Sequence, residues 1–144
     1  MVLYTPGRTS SYPDELVESG IRIHFLGGGD EVGNVGVIIE DKTQTRLLID
    51  YGLAPTSPPR YPSESPLVTD AIFTHAHIDH IGMAPWLVGN HQTKLHATSL
   101  TAALSRIMWK DTYKVSSIEG YPLPWDRRDE DEANHAWETH SFNQ

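Results

Sequence analysis

The chain reads as an α/β domain, built of short strands and helices. Two observations predict this. Short runs rich in Val, Ile, Leu and Phe recur before residue 98, bounded by glycine, proline and polar turns. Apolar residues at helical spacing dominate only after the segment 71–84. The chain divides into an N-terminal extension, 1–20, and a domain over 21–144.

The extension is polar and turn-rich, with Pro6, Gly7 and Pro13, and Asp14–Ser19 has room for one helical turn. Ile21–Leu26 alternates as a strand, with His24 on its polar face. Val35–Ile39 and Thr45–Ile49 flank the polar turn Asp41–Gln44, a hairpin pattern. Asp50 ends the second of these strands, where an aspartate commonly caps a turn. Residues 54–66 hold five prolines, which fix φ and lack an N–H, so this is an irregular loop: a wall of a cleft or a connector. Ala71–Thr74 is a short apolar strand, and His80–Val88 a helix with Pro85 in its first turns. Trp86 belongs to the core, and His91 to a solvated Gly89-Asn90 turn. Lys94–Ala97 is a strand in which His96 is structural. Ser99–Tyr113 is a helix capped by Ser99, with Leu100, Ala103, Leu104, Ile107 and Met108 as its core face. After the break at Gly120–Pro124, Asp126 caps an acidic helix running to Thr139.

The chemistry concentrates in Thr74-His75-Ala76-His77-Ile78-Asp79-His80, where three imidazoles and a carboxylate fall within six positions. Imidazole nitrogen and carboxylate oxygen suit zinc, and also iron, manganese or nickel. Positions two apart in extended chain point the same way, so His75 and His77 converge on one ion. Asp79 and His80 follow where the chain turns, placed to face a second ion beside the first. Two such ions share a bridging water or hydroxide, roughly 3.5–4 Å apart in hydrolases. Asp79 then serves as ligand and as proton acceptor for the nucleophilic water.

A nucleotide reading of the glycine run Gly27-Gly28-Gly29 fails in detail. The G-x-G-x-x-G pattern needs glycine at Val32, and Gly33 is followed by Asn34-Val35 rather than Lys and a hydroxyl residue. Both phosphate motifs open a helix, whereas the segment after Gly33 is strand-like. These glycines permit positive φ and close packing instead.

The 144 residues carry 19 acidic against 11 basic side chains, a net charge of −8, and no cysteine. Disulfides and thiolate ligands are excluded. The charge argues against broad electrostatic binding of nucleic acid by this segment. No stretch approaches the roughly 20 apolar residues of a spanning helix, and residues 1–6 are no secretory signal, so the expected setting is the cytoplasm without membrane contact. Oligomeric state is left open, a homo-oligomer included.

The loop matches the H-x-H-x-D-H motif of the metallo-β-lactamase superfamily, in its usual place after a strand and before Gly82. Gly27-Gly28-Gly29-Asp30-Glu31-Val32-Gly33-Asn34 resembles the early G-x-x-x-E-V-G turn of the RNA-processing branch that carries the β-CASP domain and includes archaeal relatives of the cleavage and polyadenylation endonuclease. Asn34-Val35-Gly36 stands where many of that branch have Arg-Ser-Cys. Leu47–Gly52 is similar to the family strand that ends in an aspartate supporting the metal loop, which assigns that role to Asp50.

The resemblance implies the N-terminal half of an αββα sandwich, a mixed sheet with helices outside it. It implies His75 and His77 as ligands of one divalent ion, Asp79 and His80 as ligands of a second, zinc in both cases, and RNA as substrate. The family's further Gly-His histidine and bridging aspartate are not recognisable downstream; no glycine precedes His135 or His140, and the segment around His140 does not match. A missing C-terminal part of a longer enzyme is therefore expected to complete the site, and the present chain is expected to be inactive alone. Two rivals stand beside a ribonuclease: a hydrolase of a small thioester, lactone or β-lactam, and a non-catalytic metal-binding subunit.

Overall fold

The computed structural model describes residues 20–143. The extension up to residue 19, and with it the turn expected at Asp14–Ser19, lies outside the described residues. The sheet has six strands in sequential order: β1 (Arg22–Gly27), β2 (Gly36–Glu40), β3 (Arg46–Tyr51), β4 (Asp70–Ile72), β5 (Lys94–Ala97) and β6 (Trp137–Thr139). The first three pair antiparallel, and β3 through β6 pair parallel. The hairpin turn between β2 and β3 closes on Asp41, whose Oδ1 accepts from Thr43 N–H at 2.8 Å and Thr45 N–H at 3.0 Å.

Helices α1 (Ile78–Ile81), α2 (Ala84–His91), α3 (Ser99–Glu119) and α4 (Arg127–Asn134) fill the connections. Strand alternation sends Leu26, Ile38, Leu48, Ala71, Leu95 and Ala97 to the buried face of the sheet. The opposite face carries Ile23, Phe25, Val37, Ile39, Leu47 and Ile49, all only partly covered, and Ile72, 40% exposed. Among the described residues no helix is long and apolar enough to cross a membrane.

Four local expectations change. His24 is not on a polar face: the alternation that buries Leu26 buries it too, at 2% exposure. The helix expected over 80–88 divides at Gly82-Met83 into α1 and α2, with Pro85 in the first turn of α2. The acidic helix ends at Asn134, and Trp137–Thr139 becomes the edge strand β6; Asp126 is its cap, in a reciprocal capping box with Asp129.

The largest change concerns α3. Thr98 rather than Ser99 caps it, and it runs to Glu119 before Gly120 takes φ 72°. Its inward positions are Thr101, Ser105, Trp109 and Ser116, whereas Leu100 is 67% and Ile107 64% exposed. Small residues let the helix approach closely, and Trp109 sets its rotation. That indole stacks on Trp137 with centroids 5.6 Å apart and donates Nε1–H to Ile81 O at 2.8 Å. Trp125 donates likewise to Gly82 O at 2.8 Å. Two buried tryptophans thus satisfy carbonyls at the end of α1 that the helix leaves without an intrahelical partner.

Trp109→Phe keeps most of the apolar volume and strands the Ile81 carbonyl, a cost of about 1–3 kcal/mol. Urea unfolding should show a lower midpoint with unchanged slope. His24 is held below its ordinary pKa of 6.5, first by burial, with the opposing Glu40 charge smaller. The unfolded chain therefore binds this proton first, and the contribution of His24 is present above about pH 6.5 and lost as pH falls below it. The decline in unfolding midpoint from pH 7.5 to pH 5 should be shallower in His24→Leu than in the wild type; equal slopes would contradict this.

Candidate metal centre

The loop after β4 leaves the strand earlier than expected, at Ile72, with Phe73 buried and its N–H donating to His96 O at 2.9 Å. His75 and His77 still converge, their ring centroids 4.7 Å apart. His80 joins them more closely than its position after the turn implied: its ring lies 4.1 Å from that of His75. The reason is α1. His80 and Ile81 N–H groups both donate to His77 O, at 2.9 and 3.0 Å, so one helical turn folds the chain back onto the first histidine. His80 Nε2 faces the Asp79 carboxylate at 3.7 Å.

The orientation of these rings traces to Asp50. It sits in a bulge: Gly36 pairs with Tyr51 and Val37 with Ile49, so Asp50 is the extra residue, at φ 57°. Aspartate tolerates this left-handed conformation better than most residues, and a bulge re-aims a side chain. The carboxylate, 3% exposed, accepts from Thr74 N–H at 2.8 Å, from the Thr74 hydroxyl at 2.8 Å and from His80 Nδ1–H at 2.8 Å.

These bonds assign tautomers. A carboxylate only accepts, so His80 carries its proton on Nδ1 and keeps a lone pair on Nε2. Thr74 has given its only hydroxyl proton to Asp50, so at the 2.9 Å contact with His75 Nδ1 it accepts, and His75 Nε2 is free as well. Outer hydrogen bonds of this kind orient metal-ligating histidines. The donor set, three imidazoles and a carboxylate with two Nε2 atoms held unprotonated, fits a divalent ion such as zinc.

The backbone behind the loop is clamped from three sides. Val35 N–H donates to Asp79 O at 2.9 Å, Leu53 N–H to Ile78 O at 3.1 Å and Met83 N–H to Tyr51 O at 2.9 Å. Gly52 is required by contact: a Cβ there would lie 1.8 Å from Asp79 O. Within the glycine run, Gly28 takes positive φ, and Gly33 beyond the run does so too. The Tyr51 phenol is buried beneath, its pKa pushed up by that burial, and donates to Ser63 O at 2.8 Å, tying in the proline loop. That loop and α3 line a groove of about 430 Å³, to which Ile78 of α1 contributes.

Other histidines separate from this cluster. His91 is not solvated: it ends α2, contacts Ser65 O through Nε2 at 2.9 Å and packs edge-on against Trp86. His96 and His140 lie together at the sheet edge. Thr74, Trp109 and Trp125 were not legible as site-supporting residues. The one available signal was Thr74 standing directly before His75.

The fold and loop define a class. The chain belongs to the metallo-beta-lactamase superfamily, which it matches over residues 28–142, and that family implies divalent metal ions. It is 32% identical over 72% of its length to RNase aCSPSF2 of Saccharolobus solfataricus, covering 22% of that protein. It is 31% identical over 76% of its length to transcription termination factor FttA of Methanocaldococcus jannaschii, covering 18% of it. Cleavage and polyadenylation specificity factor 73 of Drosophila melanogaster is 28% identical over 92% of the chain, which spans 20% of it. The likeness is to the RNA-processing branch, and the chain spans about a fifth of the length of these relatives.

Thr74→Val keeps the shape of residue 74 and removes the link between Asp50 and His75. Zinc affinity measured by competition with a chromophoric chelator should fall by about 10–100-fold. Unchanged affinity would remove the hydroxyl from the arrangement.

Proposed function

We propose that this chain is part of a metal-dependent hydrolase that cleaves RNA phosphodiesters in the cytoplasm. One observation carries the proposal: a single buried carboxylate, Asp50, aims His75 and His80 so that their Nε2 lone pairs are free beside His77 and Asp79. His75 and His77 would hold one divalent ion, Asp79 and His80 a second, with zinc the choice the donor atoms favour. When bound, the pair supplies a water of lowered pKa and Lewis-acid charge for a developing oxyanion. Asp79, part-exposed and 3.7 Å from His80 Nε2, takes the proton of the attacking water. Asp50 touches neither water nor substrate; it positions His80 and, through Thr74, His75.

The RNA assignment rests on relatives whose names are those of an RNase, a termination factor and a cleavage and polyadenylation factor. The partly covered apolar face from Ile23 to Ile72 fits the first sheet of an αββα sandwich whose second sheet is supplied by further chain. That same further chain would bring the remaining ligands, and this segment alone would be inactive. The domain then begins at about residue 21, the extension preceding it.

Asp79→Ala in the full-length gene product should abolish RNA cleavage with the far-ultraviolet circular dichroism unchanged. His77→Ala should lower bound metal by elemental analysis. The wild-type product should cleave RNA and leave nitrocefin and a thioester intact; turnover of either small substrate without RNA cleavage would favour a small-molecule hydrolase, and no turnover of any would favour a metal-binding subunit.

A further inference from the structure

A second set of nitrogen and oxygen donors converges at the edge of the sheet, and none of them belongs to the histidine loop. His96 on β5 pairs in register with Glu138 on β6, and His140 follows directly after β6. One donor atom from each of the three residues lies within 4.8 Å of the other two. The backbone holds them there: His140 N–H donates to Ala97 O at 2.9 Å, extending the β5–β6 ladder by one residue.

Hydrogen bonds again fix the atoms that face one another. Asp70 on β4 accepts from His96 Nε2–H at 2.7 Å, which leaves the lone pair of His96 on Nδ1. That atom meets His140 Nε2 at 2.9 Å, the two rings stacked at 25° with centroids 5.2 Å apart. A shared proton between two imidazoles would explain the 2.9 Å contact alone. It explains neither the Glu138 carboxylate facing the same space nor the carboxylate behind His96. A carboxylate on the far nitrogen is the arrangement that orients metal-bound histidines.

We propose that His96 Nδ1, His140 Nε2 and the Glu138 carboxylate form a binding site for a divalent transition-metal ion, zinc by its donor chemistry, separate from the histidine loop. Two imidazoles and one carboxylate are an established zinc set with a fourth position left open. Ligation at about 2.0–2.1 Å sets ligand atoms about 3.3–3.4 Å apart in a tetrahedron, so the histidine pair opens by roughly 0.4 Å. The His140 proton moves to its Nδ1, keeping the ring neutral. The ion would fasten β6, a three-residue edge strand, to β5.

The test uses the 144-residue chain carrying His75→Ala and His77→Ala, which weaken the loop. Zinc content after equilibrium dialysis is read by mass spectrometry, with and without His140→Ala. His140 is exposed, so its truncation removes no buried side chain, only the stacking on His96, and circular dichroism checks the fold. Addition of His140→Ala should lower the stoichiometry by one equivalent and abolish the visible cobalt(II) bands assigned to a nitrogen-rich tetrahedral site. Asp70→Asn should weaken the affinity by about 10–100-fold and keep the stoichiometry at saturation. Zinc content and cobalt spectrum unaltered by His140→Ala would overturn the proposal, as would a double variant that binds no zinc.

Discussion

The Asp50 carboxylate is the constraint on which the site depends. It is nearly inaccessible, sits in a left-handed bulge and accepts three hydrogen bonds from the segment that carries the histidines. A buried charge survives only when it is well satisfied, so removing any of the three donors exposes an unmet acceptor. Stability and ring orientation are therefore coupled: the contacts that make Asp50 tolerable also decide which nitrogens of His75 and His80 carry protons. The bulge, Gly52 and the two tryptophan props exist in one connected layer behind that loop. Gly52 and the tryptophans hold backbone, whereas the bulge presents the Asp50 carboxylate to His80, so the chain beneath the loop and the orientation of that ring are both fixed.

Much of this was legible in the sequence because it depended on local patterns. Strand alternation located β1, β2, β3 and β5 within a residue or two, and Asp126 was visible as a cap. The spacing of His75 and His77 predicted their convergence. What failed depended on tertiary partners. The apolar stripe Leu100, Leu104, Ile107 looked like a core face, yet the helix rotates to seat Trp109 on Trp137 and on the Ile81 carbonyl. Helical periodicity reports a stripe, not what covers it. His24 is polar by type, yet the alternation that buries Leu26 buries it as well. The edge strand Trp137–Thr139 was hidden within an acidic run with helical composition. His96 and His140 lie 44 positions apart, and only the parallel pairing of β5 with β6 brings them together.

The electrostatics and the proposed substrate pull in opposite directions. A chain of net charge −8 repels a polyanion at long range. On the proposed reading the attraction is local and comes from cations held at the loop, so binding would depend on metal loading far more than on the protein's own surface charge. Bound ions are often the largest charges in a site and invert its local field.

On the proposed reading, Asp50 and Thr74 leave His75 and His80 to ligate through Nε2. Crystals grown with zinc and measured on either side of the zinc absorption edge test it most directly. An anomalous peak is expected at the loop, about 2.0–2.1 Å from Nε2 of each ring, with Nδ1 of His80 still on Asp50. Ligation through Nδ1, or no anomalous signal at the loop, would contradict it.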